Sequence, residues 1–127
     1  SYGNTVNIFL PDKKLRKVIM KIKTDDKGLD DIKDPKSCTI FTLFALLANK
    51  DQTEQMEQNY LAGNYGYGHA KQELFELIIE KFAKERTIYN DLMNNKALLD
   101  EHLAIGAKKA RETAKVTLKR IRTVLGY

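Results

Sequence analysis

The 127 residues include one cysteine, two prolines and no tryptophan. A lone Cys38 excludes an internal disulfide and any zinc site built from several cysteines. No uninterrupted apolar run approaches the roughly 18 residues a membrane span needs. Ser1 to Asn7 is polar and no long apolar core follows it, unlike a secretory signal peptide. There is no repeat at a fixed period and no strand-like alternation. With no membrane segment and no leader, the expectation is a soluble cytoplasmic protein.

Catalytic arrangements are equally scarce. His69 and His102 stand 33 residues apart with no cysteine nearby, so no metal site is expected. Ser37 and Cys38 lie near a helix start, where capping and filling suit them better than nucleophilic attack. Three glycines alternate with tyrosines in Gly63–Gly68, but no strand precedes them and no Gly-Lys-Ser/Thr follows, so they do not form a phosphate-gripping P-loop. The sequence therefore contains no self-sufficient active site.

What is present is a 43% hydrophobic share and a net charge of +5. The apolar share is too high for a disordered chain. The charge is segregated: residues 1–28 sum to +4, residues 29–95 to −4 and residues 96–127 to +5. Two basic ends around an acidic middle suit a polyanion contacted by particular helices.

Hydrophobic spacing predicts an all-α bundle of four to five helices, preceded by an extended N-terminal arm up to Leu10. Pro11 and Asp12 open the first helix, with Leu15, Val18, Ile19 and Ile22 on one face. Thr24–Asp34 reads as a loop ending before Pro35. A strongly apolar helix spans about Ser37–Ala48. A third, capped by Asp51 or Thr53, reaches Leu61 and stops at Gly63. A long helix runs from about His69 to Met93, and a last one from about Ala97 to Leu125.

In the last helix, Ala107, Ala110, Ala114, Leu118, Ile121 and Leu125 form one stripe, suited to packing against a neighbour. Lys108, Arg111, Lys115, Lys119 and Arg122 form another, confined to an arc of about 80° at 100° per residue. At 1.5 Å per residue the cations extend over roughly 21 Å, enough to meet several successive phosphates. The competing reading is an ordinary solvated face. Tyr65 and Tyr67 offer π-faces for unpaired bases beside His69 and Lys71 at a helix start, or else fold back as core plugs.

Three segments carry a family likeness. Ser1-Tyr2-Gly3-Asn4-Thr5, with Leu10-Pro11-Asp12 and Lys23-Thr24-Asp25, resembles the stretch after the class I synthetase signature loop Lys-Met-Ser-Lys-Ser. Tyr67-Gly68-His69-Ala70-Lys71 resembles the Tyr-Gly-His-x-Lys element of bacterial tryptophanyl-tRNA synthetases. Ile105-Gly106-Ala107-Lys108-Lys109-Ala110-Arg111 is similar to the Gly-Ala-x-Lys-Ala segment of that family's last helix.

The resemblance implies residues 1–10 as the tail of the signature loop and linker, and 11–127 as a helical anticodon-binding domain. It implies tRNA for tryptophan as partner, with contacts from Lys108, Arg111, Lys115, Lys119, Arg122, Tyr65, Tyr67, His69 and Lys71. ATP and magnesium belong to the intact enzyme, a homodimer. Ser1 is the expected remnant of its ATP signature loop, so this piece is expected to be without cofactor and unable to form the adenylate alone; because the family's association surface belongs mainly to the catalytic half, it is also expected to be monomeric. With two residues after Leu125, the extra C-terminal RNA-binding domain of many tyrosyl enzymes is expected to be absent, which favours tryptophan. The alternative is a helical protein-interaction module, docking through Phe41 and Phe44, or a general RNA binder.

Overall fold

Pro11 sets the entry to the first helix, α1 (Asp12–Met20), with an extended ψ of 144° and Asp12 in the first turn. The computed structural model describes residues 3–127, so the Ser1 expectation lies outside the described residues. α1 buries Leu15 and Ile19. A loop and a single 3-10 turn (Pro35–Ser37) lead into α2 (Thr39–Leu47), which buries Ile40 and Phe44. Phe41 packs edge-on to Tyr60, 5.7 Å between ring centroids. Phe41 and Phe44 thus serve the chain's own core, which removes the reason for reading them as a docking face.

α3 (Lys50–Ala62) starts two residues earlier than a cap at Asp51 would place it. The cap is Asn49: its side-chain oxygen accepts from the Gln52 N–H at 2.8 Å, and Gln52 returns the bond to the Asn49 N–H at 3.0 Å. This reciprocal box satisfies two otherwise orphaned donors, which neither Asp51 nor Thr53 does.

The long helix expected over 69–93 is two helices, α4 (Tyr67–Lys81) and α5 (Ala83–Asn94). Phe82 between them has φ −105° and ψ 18°, outside the α region, and its side chain packs against the core. α4 buries Ala70, Leu74, Leu77 and Ile78, whereas α5 buries nothing. The break keeps Phe82 on the core as burial ends, and neither glycine nor proline marks it in the sequence. This split makes six α-helices among the described residues where four to five were expected; the all-α class holds.

The chain divides into two compact units, one ending at Arg86 and one running from Thr87 to Tyr127. In the first, α4 packs against α1 and α2, and their buried side chains join Met56, Tyr60 and Cys38 in one cluster. Val6, Ile8 and Leu10 of the non-helical N-terminal segment pack partly on that cluster. The second unit holds most of α5 and the 30-residue α6 (Lys96–Leu125), whose start is capped by the Asn95 side chain accepting from the Leu98 N–H.

Candidate nucleic-acid interface

α6 is one uninterrupted helix, so the spacing of its cations becomes a geometric stripe. Lys108, Arg111, Lys115, Lys119 and Arg122 are all exposed. Among the described residues the ion pairs are Lys50–Glu54 and Arg86–Asp12, and neither involves α6. The five charges are therefore available to a polyanion, and their desolvation on binding is limited because phosphate contacts remain wet.

The alanine-rich stripe behaves otherwise than expected. No residue from Asp100 to Tyr127 is buried, Ala107, Ala110, Ala114, Leu118, Ile121 and Leu125 included. Three of these six residues are alanines, which present little apolar area for a neighbour to cover.

The tyrosine–glycine junction belongs to the first unit. α3 ends at Gly63 with φ 76°, and Asn64 follows at φ 56°. A β-carbon on Gly63 would lie 2.7 Å from the Asp30 carbonyl oxygen, so the 28–33 loop approaches too closely for any side chain. Tyr65 and Tyr67 are half-buried against the fully buried Tyr60, at centroid distances of 5.7 and 6.1 Å. The Tyr60 hydroxyl lies 3.4 Å from Cys38 Sγ. Burial raises the Tyr60 phenol well above its ordinary range, with Cys38 adding to it. Burial likewise raises Tyr65, helped by the Glu73 carboxylate, and Tyr67, helped by its bond to Asp25. That bond in turn lowers the Asp25 carboxyl.

The remaining members of this group divide by exposure. The His69 ring is exposed, 5.9 Å from Tyr65. Lys71 is partly buried, and its ammonium donates to the Met20 carbonyl at 3.2 Å, capping α1. The structure thus gathers Tyr65, Tyr67, His69 and Lys71 around the start of α4, with His69 the most open to solvent.

Lys33, which the sequence did not single out, organises the neighbouring loop. Its side chain is fully buried, donating to the carbonyls of Gly28 (2.6 Å), Asp31 (3.0 Å) and Leu29 (3.3 Å). Its ammonium also sits 5.3 Å from the Tyr67 ring centroid. Three carbonyls and a π-face offset part of the cost of burying this cation. No periodicity announces such a lysine.

No family model matches the chain. Curated relatives do. The tryptophan–tRNA ligase of Fusobacterium nucleatum is 38% identical over 126 residues, covering 99% of this chain and 38% of that protein. The Rhodopirellula baltica ligase is 39% identical over 126 residues, covering 99% of this chain and 39% of that protein. The crystal structure of tryptophanyl-tRNA synthetase from Campylobacter jejuni superposes with a TM-score of 0.91 at 36% identity, over 99% of this chain and 41% of that one. The chain belongs to the tryptophanyl-tRNA synthetase family.

The match falls in the C-terminal portion of the tryptophan–tRNA ligases. The chain spans about two fifths of the length of the curated relatives it matches. A second structure of the Campylobacter jejuni synthetase, in complex with ADP and tryptophan, matches with the same TM-score of 0.91.

Proposed function

We propose that this chain is the tRNA anticodon-recognition part of a tryptophan–tRNA ligase. The observation that carries the reading is a five-cation stripe, exposed and without ion pairs among the described residues, on a chain belonging to the synthetase family. Lys108, Arg111, Lys115, Lys119 and Arg122 hold successive phosphates of the anticodon stem, which fixes register without reading sequence. Selectivity comes from the start of α4. There His69 reaches bases directly, while Tyr65, Tyr67 and Lys71 shape the surface that receives them.

In the intact protein, a homodimer of the cytoplasm, tryptophan is activated with ATP and magnesium and passed to its tRNA. Among the described residues no group of three or more His, Cys, Asp or Glu side chains is placed to hold a metal ion. Residues 11–127 act together as the anticodon-binding part, and residues 1–10 as its connection to the signature loop. No helix among the described residues is long and apolar enough to cross a membrane.

The test is charge reversal. With Lys108, Arg111 and Lys115 all changed to Glu, tRNA binding is lost and the helical circular dichroism stays intact. The salt slope of any residual binding is shallower by about three, one per lost phosphate contact. Full affinity in the triple variant overturns the assignment.

A further inference from the structure

α6 ends in a turn that builds a small aromatic pocket onto the cationic stripe. Gly126 is left-handed at φ 81°, ψ 25°, and its N–H reaches the Thr123 carbonyl. The Tyr127 N–H then bonds back to the Arg122 carbonyl at 2.9 Å. Such a paired closure usually accompanies an apolar contact across the turn. Here the turn instead brings a tyrosine, 92% exposed, beside a cation of the stripe.

Between them lies a cleft of about 290 Å³ lined by Lys115, Leu118, Lys119, Arg122, Thr123 and Tyr127. No Asp or Glu side chain lines it. Its volume is just under the roughly 300–1,000 Å³ typical of ligand pockets, a size that suits no more than a single nucleotide. Phosphates alone require only cations, so the exposed ring at the end of the stripe is a second, different recognition element.

We propose that Tyr127, with Lys115, Lys119 and Arg122, binds one unpaired nucleotide of the RNA. The base stacks on the phenol ring while the three cations hold the phosphates at the end of the paired stem that flank it. This rests on the RNA-binding reading above, and it names a residue and a ligand feature that reading does not require.

The chain has no tryptophan, so Tyr127→Trp supplies a single reporter. Its emission is expected to be quenched on titration with tRNA or a short single-stranded RNA, and to stay unchanged with a blunt RNA duplex or inorganic phosphate. Tyr127→Ala is expected to weaken tRNA binding at least about fivefold, the loss of one stacked base, with an unchanged salt slope; Tyr127→Phe retains affinity. If Tyr127→Ala binds as the unaltered chain does while charge reversal of Lys108, Arg111 and Lys115 abolishes binding, the pocket is refuted and the broader reading stands. If the unaltered chain binds no RNA, both fall.

Discussion

Replacing Gly63 with alanine tests how tightly the two loops of the first unit are locked together. Gly63 adopts φ 76°, ψ −177°, a region open essentially to glycine alone and costing other residues about 1–3 kcal/mol. The added β-carbon would also meet the Asp30 carbonyl oxygen at 2.7 Å, a backbone atom that cannot rotate away. Asp30 lies within the loop that Lys33 ties through Gly28 and Asp31. Retreat of the loop would stretch charged hydrogen bonds worth about 1.5–3 kcal/mol each. Together these predict a loss of about 3–5 kcal/mol, a large part of the roughly 5–15 kcal/mol that holds a domain folded.

Urea unfolding followed by circular dichroism reads the loss as a lower midpoint at unchanged slope. Gly106→Ala is the control. It lies inside α6, where a β-carbon meets nothing within 4 Å, so the helix should gain about 0.5–1 kcal/mol. A Gly63→Ala loss below about 1 kcal/mol would refute the picture of a loop pinned by Lys33.

Two further outcomes follow from buried polar groups. The Arg86 side chain, 12% exposed, donates to the Ile8 carbonyl and the Asp12 carboxylate; Arg86→Ala should speed amide exchange at Phe9 and Leu10 at least about tenfold, a local opening that leaves α1–α4 protected, and unchanged exchange there contradicts the clamp. The buried phenols of Tyr60, Tyr65 and Tyr67 are raised, so the unfolded chain releases their protons from about pH 10 while the folded chain holds them. Their stabilisation is complete below that pH and is lost as pH rises through the folded values. Urea midpoints should fall steeply in that range, and less steeply in Tyr60→Phe; a flat profile contradicts the burial.

Much of the fold was legible because apolar spacing reports burial directly. Leu15 and Ile19, Ile40 and Phe44, and Leu74 and Ile78 were placed on helical faces by periodicity, and all six are buried. The break at Phe82 was not legible, since it comes from one side chain staying on the core and leaves the helical pattern on either side intact. The Asn49 cap was missed because Asp51 and Thr53, equally good capping types, stand close behind it. At the candidate interface, the cation stripe translated into geometry because α6 is one straight run of helical spacing. The tyrosine–glycine junction did not, because exposure there depends on the 28–33 loop, which is set by the buried Lys33 and by the glycine at position 63. Tyr127 drew no attention in the sequence because its role depends on the left-handed turn at Gly126.

The most direct test of an anticodon-reading role is a competition measurement at fixed salt between tRNA for tryptophan and the same tRNA with its anticodon altered. Recognition of anticodon bases predicts that the unaltered tRNA displaces the altered one, with a preference of at least about tenfold, or roughly 1.4 kcal/mol. Equal affinity for the two, with binding that depends only on salt, would show that the stripe grips phosphate without reading the anticodon.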